Sequence, residues 1–334
     1  MLEIKEVEGA RTLRGVTLTV DQKGIYGILG SKGAGKTELA RILTGCENAE
    51  SGDVLIGSEK MSRKNKAAKK RIRLVPTSLE LHGTVTPVEY LDLVGDSLGV
   101  DPDKRYRQIK EALELVGIDD VQNKPFSALG ASARCRLALA ASLLGNPEYI
   151  VLDDPFSMID GEAQSQIYEL LDMLAKIKTL ILLSHKAGEV KRLCERVAIL
   201  HGGKVALSGS IADIEEKING TAQTYAKVRG EGDRIVEAIR GIDGVVDAKI
   251  TATESGSVNS VSIEHLPDDM IKDKLFSALA AIGSPMLSVK SVVLTLEDVF
   301  YSFSASESDK DESDTSDTSG KRKNKQKRQR REEK

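Results

Sequence analysis

Tryptophan is absent from this 334-residue chain and all aromatics together make up 4% of it. Any core must therefore be built from aliphatic side chains. Cysteine is almost as scarce. Cys46, Cys135 and Cys194 stand far apart with no paired metal-ligand spacing, which argues against a disulfide framework, fits a reducing compartment and leaves them to be read as packing residues. No apolar run approaches the roughly 18 residues needed to cross a bilayer, and the opening MLEIKEVEGA is too acidic and broken for a signal peptide. A membrane role is thus expected only through a partner. The formal net charge of -3 gives no global pull toward nucleic acid or acidic lipid.

What is present is a globular mixture, 40% apolar and 30% charged, long enough for two folded units and a tail. Up to about residue 220, short β-rich runs alternate with helical patterns, which predicts an α/β domain with a parallel sheet covered by helices. Its buried strands are expected at residues 24–29, 72–75, 149–153, 179–184 and 196–200, with a helical insert over about 79–129. Residues 224–303 read as a small α+β unit in the order β-α-β-β-α-β, a split βαβ arrangement. From about residue 305 the composition holds nothing that builds a core. It predicts a disordered tail, first acidic and then basic, with eight basic residues in the eleven from Lys321 to Arg331.

The strongest motif is GSKGAGKT at Gly30 to Thr37, a full match to G-x-x-x-x-G-K-[ST], after the strand GIYGIL and before the helical run TELARIL. In such a loop the backbone of Gly30, Ser31, Lys32, Gly33, Ala34 and Gly35 turns its N–H groups toward phosphate oxygens, and the helix N-terminus adds positive potential. Lys36 is then placed for the β- and γ-phosphates and Thr37 for Mg²⁺. A second motif, YIVLDDP at Tyr149 to Pro155, is an apolar strand ending in two carboxylates. Asp153 suits Mg²⁺ held through water, and Asp154 suits contact with an attacking water.

With these in hand, residues 1 to about 215 resemble the ABC-type ATPases, whose P-loop NTPase fold carries a helical insert. Further segments follow that family's order: PFSMID resembles its D-loop, which implies Ser157 and Asp160 at a dimer interface, and LLSH resembles its switch-histidine strand, which implies a γ-phosphate contact for His185. GNPEYIVLDDP and ERVAILHGGKVALSGS are similar to the family's usual wording. TLEDVFYSF at Thr295 to Phe303 resembles the closing phrase of ATP-binding subunits of ABC-2-type exporters.

Four positions depart from the family pattern. Thr77 stands where a Gln is usual, and its hydroxyl is about two bonds shorter than a Gln amide. The signature that caps the partner's nucleotide is replaced by Leu129, Gly130, Ala131, Ser132 and Ala133. Asp154 stands where Glu usually acts as base. The aromatic that normally stacks on adenine is missing, with Arg11 near its place.

The resemblance implies a cytoplasmic ATP-binding subunit on the inner face of the membrane. It would bind and hydrolyse MgATP, pair with a second ATP-binding subunit in a homo- or heterodimer, and drive a separate permease, with export favoured. The altered positions raise the alternative of a regulatory subunit with little hydrolysis. No nucleic acid is expected as a partner. The basic tail suits contact with anionic membrane, and the basic stretch Lys60 to Arg73 reads as a solvated face.

Overall fold

The computed structural model describes residues 1–300, apart from 22, 160, 219–221, 255, 256, 269, 293 and 294. Asp160, the last three residues of TLEDVFYSF and the acidic-basic tail lie outside the described residues. The chain divides into two compact units, the first Met1–Ile211 and the second beginning at Ala212.

The first unit holds two sheets. Strands β1 (Leu2–Glu8), β2 (Arg14–Val20), β4 (Ser51–Ile56) and β5 (Glu59–Lys60) form an antiparallel sheet in the order β2-β1-β4-β5. The expectation of a single parallel sheet missed it. Its strands are short and alternate buried with exposed positions, and β1 finds β4 only across two intervening strands and a helix.

The second sheet has six strands in the order β10-β9-β3-β8-β7-β6, comprising β3 (Gly24–Gly30), β6 (Ile72–Val75), β7 (Tyr149–Asp153), β8 (Thr179–Ser184), β9 (Arg196–His201) and β10 (Lys204–Ser210). All neighbours pair in parallel except β9 with β10, which form an antiparallel hairpin across Gly202 and Gly203. Both glycines have positive φ, the requirement of a tight two-residue hairpin turn. Every residue of β7 and β8 is buried. That explains why these strands read as unbroken apolar runs rather than as alternations.

Helix α1 (Lys36–Leu43) shares one apolar core with both sheets, through Leu39, Ala40, Ile42 and Leu43 against Leu2, Ile4, Ile28, Val151 and Leu183 among others. Helices α6 (Gly161–Ala175) and α7 (Ala187–Leu193) pack on β3 and β8. A Cβ at Gly27 would meet Val190 Cγ1 at 2.7 Å and Cys194 Sγ at 3.1 Å. The glycine is what lets α7 approach β3 so closely.

The stretch expected as a helical insert over about 79–129 contains two α-helices. Residues 79–86 form no regular element, and helix begins only at α3 (Pro87–Ser97), followed by α4 (Pro102–Val116), two single 3₁₀ turns and α5 (Ala131–Leu143). Thr86 and Glu89 form a reciprocal capping box with Pro87 in the first turn, which sets this start sharply.

The stretch Lys60 to Arg73 contains the short basic helix α2 (Lys66–Lys70), and Lys60, Arg63, Lys64, Lys66 and Lys70 are exposed, as a solvated face requires. At its end Arg71 is tied to Glu148 by two bonds of 2.7 Å, and Arg73 is half-buried with its Nε unpartnered. The reading of all three cysteines as packing residues is corrected. Of the cysteines, only Cys194 is fully packed, while Cys46 is exposed. Burial pushes the Cys135 thiol up to about 12.

The second unit begins within α8 (Ile211–Ile218) and continues as β11 (Ala222–Arg229), α9 (Gly232–Arg240), β12 (Val245–Glu254), β13 (Val258–His265), α10 (Ile271–Ala281) and β14 (Met286–Val292). Its antiparallel sheet runs β12-β13-β11-β14. Inward residues of the sheet, among them Val228, Val261 and Ile263, close a core with Ile235, Ile239, Leu275 and Leu279 of the two helices. His265 is buried here: Nδ1 donates to Leu266 O, and Nε2 shares a hydrogen bond of 2.9 Å with Thr224 Oγ1. Residues 296–300 are helical. Thr295 and Asp298 cap that turn reciprocally, with Leu296, Val299 and Phe300 buried.

Candidate functional site

Because β3, β8 and β7 are adjacent and parallel, their C-terminal ends open on one edge of the sheet, where ligands of open α/β sheets bind. Leu29 lies beside Ser184, and Leu183 beside Asp153. Gly30, Asp153, Asp154 and His185, spread over 155 positions of sequence, are thereby brought to that same edge.

The loop Ser31 to Gly35 leaves β3 and enters α1. Gly35 is the N-cap residue at φ 101°, and it brings no side-chain acceptor to the first helical turn. Gly33 sits at φ 90°, and a Cβ there would meet nothing within 4 Å. The loop is thus an open cradle lined by backbone, with the positive end of α1 behind it. Lys36 is buried, and its Nζ donates to Gly30 O at 2.8 Å and Ser31 O at 2.9 Å. Burial lowers its affinity for a proton, opposed by the carboxylates of Asp154 and Asp153. The ammonium spends two donors on its own loop and keeps a third. Lys32 is exposed and Ala34 buried.

Across the loop, Thr37 Oγ1 donates to Asp153 Oδ1 at 3.2 Å. Burial pushes the Asp153 carboxyl above the usual range, the Thr37 bond opposing this and neighbouring Asp154 adding to it. A hydroxyl and a buried carboxylate side by side, both hard oxygen donors, are a set that suits Mg²⁺.

Asp154 has a left-handed backbone, φ 49°, which Asp tolerates better than most residues. One of its oxygens, Oδ2, accepts from His185 Nδ1 at 2.6 Å, while Oδ1 is buried without any partner. An ionised carboxylate only accepts, so the His185 proton in this bond sits on Nδ1 and leaves Nε2 for a ligand. Orphaned buried acceptors are uncommon in native structures. This one lies beside the cradle, where a ligand or a water would complete it.

Sequence reading missed the support behind His185. Glu189 is buried; its Oε2 accepts from Ser184 Oγ at 2.7 Å, and its Oε1 from Lys186 Nζ at 3.0 Å and Gln164 Nε2 at 3.1 Å. Ser184 and Lys186 flank His185 in sequence, so one carboxylate holds both shoulders of the histidine turn. Gln164 also contacts Tyr168, whose ring meets Phe156 edge-on at 5.0 Å. A Glu four residues after the strand-end histidine was the only available signal.

The altered signature starts α5. Gly130 is its N-cap and provides no side-chain cap, so the first-turn N–H groups of Ala131, Ser132 and Ala133 take no bond from a cap. Leu129 is buried beneath them. Thr77 is exposed and lies with Leu129, Ala131, Pro155 and Met158 around a cavity of about 320 Å³. Ser157 and Met158 are exposed after β7. Arg11 lies at the mouth of the phosphate loop, its guanidinium paired with Glu47 and its Nε 3.7 Å from Glu38.

The family model described as ABC transporter matches residues 13–157. The linearmycin resistance ATP-binding protein LnrL of Bacillus subtilis (strain 168) is 25% identical over 303 residues, covering 90% of this chain and 96% of that protein. The Nod factor export ATP-binding protein I of Rhizobium sp. (strain N33) is 32% identical over 230 residues, 68% of this chain and 75% of that protein. Among solved structures, an ATP-binding subunit of an ABC transporter superposes with a TM-score of 0.59 at 21% identity, over 66% of this chain and 93% of that one. Loop, carboxylate strand, histidine strand and these relatives agree: the chain belongs to the ABC transporter family, among its ATP-binding proteins.

Proposed function

We propose that the chain binds MgATP and hydrolyses it to drive a separate membrane permease, in the direction of export. The observation that carries the catalytic part is the Asp154–His185 pair, with one carboxylate oxygen engaged and the other buried and free at the edge of the phosphate cradle. In this reading the backbone of Gly30, Ser31, Lys32, Gly33, Ala34 and Gly35, with Lys36, holds the phosphates, and Thr37 with Asp153 holds the metal. Bound Mg²⁺ supplies positive charge against the phosphate oxygens. Asp154 Oδ1 orients a water and takes its proton. His185, its Nδ1 proton turned toward Asp154, directs Nε2 at the terminal phosphate, a contact that requires a proton on Nε2 as well, since phosphate oxygens only accept.

Among the described residues no helix is long and apolar enough to cross a membrane, and in this reading the permease is a separate chain. Export is supported by the relative that carries it in its name, the Nod factor export ATP-binding protein I, while the 303-residue match to LnrL is longer than the whole first unit and so reaches into the second. In this reading a second ATP-binding subunit, identical or not, meets Ser157 and the start of α5; Asp160, expected at the same interface, lies outside the described residues. The protein then sits on the cytoplasmic face of the membrane through the permease, and the basic tail adds attraction to anionic lipid.

A regulatory subunit with little turnover is favoured by Thr77, which is exposed and one reach short, and by Gly130 and Ser132 in the signature. Calorimetry with MgATP tests the binding step: Lys36→Ala is expected to lose detectable affinity, and equal affinity in both forms would refute the site. Steady-state phosphate release, alone and with the co-purified permease, then separates transport ATPase from regulator.

A further inference from the structure

Glu38 follows the phosphate loop directly and is 5% exposed. Its carboxylate accepts three backbone N–H groups: Arg11 N at 2.8 Å on Oε1, and Thr12 N at 2.8 Å and Leu13 N at 3.2 Å on Oε2. Three consecutive amides converging on one buried carboxylate form a clamp. It is supported from both sides. A Cβ at Gly9 would lie 2.4 Å from Glu38 Oε1, so only glycine leaves the carboxylate its place. A Cβ at Gly203, in the β9–β10 hairpin, would lie 2.0 Å from Thr12 O.

The strand order says which part of a bound nucleotide the clamped segment meets. β8 and β7, which carry His185 and the two aspartates, lie on one side of β3, whereas β9 and β10, whose hairpin abuts Thr12, lie on the other. A polyphosphate laid across the loop with its reacting end at Asp154 and His185 points its opposite end toward Arg11, Thr12 and Leu13. Arg11 and Thr12 line the same recess of about 250 Å³ as Gly33, Gly35, Thr37 and Glu38.

Resting on the nucleotide-site reading above, we propose that Glu38 is a positioning residue for the nucleoside: it holds the backbone of Arg11 to Leu13 as the fixed wall against which the nucleoside end of the substrate rests. Arg11 is presented by the same device, its guanidinium held between Glu38 and Glu47, and Glu47 in turn takes Arg41 at 3.0 Å. A pre-ordered wall spares the ligand the entropy of ordering it. The effect must fall on ligands that own a nucleoside.

The test is calorimetric titration of the full chain with two probes, ATP and inorganic tripolyphosphate, each with Mg²⁺, together with amide hydrogen exchange at Arg11, Thr12 and Leu13. Glu38→Gln keeps the shape but turns an amide donor toward one of the N–H groups, Glu38→Ala removes the clamp, and Gly9→Ala displaces the carboxylate without altering it. All three are expected to speed exchange at the three amides and to weaken ATP about tenfold, one factor of ten per 1.4 kcal/mol, while tripolyphosphate binds as in the wild type. Gly9→Ala combined with Glu38→Ala should weaken ATP no further than Glu38→Ala alone. Parallel loss of both probes would show that Glu38 merely supports the phosphate loop, and a gain in affinity would show that its charge repels the ligand; either overturns the proposal, as does unchanged ATP affinity. Failure of the wild type to bind either probe would overturn the nucleotide-site reading itself, and the clamp's role with it.

Discussion

His185 Nδ1 lies 2.6 Å from Asp154 Oδ2, joining the ends of β8 and β7 directly above the phosphate loop. The bond places a proton on Nδ1 and spends one carboxylate oxygen, so the chemistry left to the pair is divided between Asp154 Oδ1 and His185 Nε2. Asp154→Asn and His185→Ala are each expected to lower turnover by about 10² to 10⁴-fold, the usual cost of a lost base or positioning group, with nucleotide affinity little changed. Calorimetry and phosphate release on the same samples check this. Thr77→Gln with Asp154→Glu should raise the rate of the isolated chain; a brisk wild type that gains nothing from the pair of changes would remove the regulatory reading.

Asp153 gives a pH-dependent signature. Burial raises its folded-state pKa, so above the unfolded value of about 3.9 the folded chain holds this proton more tightly than the unfolded chain, and stability falls as pH rises through the interval between the two values. Asp153→Asn removes the buried charge. The variant is therefore expected to melt higher than the wild type in the absence of nucleotide at about pH 7, with the advantage shrinking toward about pH 4. It should also lose the Mg²⁺-dependent part of stabilisation by ATP. Thermal melts over that range, with and without MgATP, read both effects, and an unchanged or lower melting point at neutral pH would count against a charge penalty at Asp153.

Glu189 is expected to matter through His185. Glu189→Gln keeps the size but turns an amide donor toward one of its three donors, loosening the turn on either side of the histidine. About a tenfold fall in kcat with KM near the wild-type value is the expected result, within the range for groups that position a catalytic residue. The imidazole nitrogen resonances of His185 should shift in the same variant. A change in KM alone, or a silent imidazole, would assign Glu189 to packing.

Much of this molecule was legible before any coordinates. The strands at 149–153 and 179–184 are observed over those same residues, because a strand buried on both faces must be apolar at every position and is bounded where the chain turns polar. The phosphate loop was equally plain, since its glycines and its Lys-Thr pair recur at fixed spacing within one strand-loop-helix unit. The antiparallel sheet around β1 was not, because Leu2 meets Ile56 and Val20 only through long-range pairing that no local pattern encodes. The insert's helices fall within the stretch read as helical, but the start of the first is set by the capping box at Thr86 and Glu89, which apolar spacing does not locate.

Composition, motif and strand order along the chain determined by themselves that this is an ABC-type nucleotide-binding unit, because those signals depend on residues close together in sequence. Only the tertiary structure decided which groups act together. Asp154 with His185, Thr37 with Asp153, Glu189 with Ser184 and Gln164, and Glu38 with Arg11 to Leu13 are contacts between elements. Their partners are chosen by sheet order and burial: hydrogen bonds and charges act over a few ångströms of space, whatever the separation along the chain.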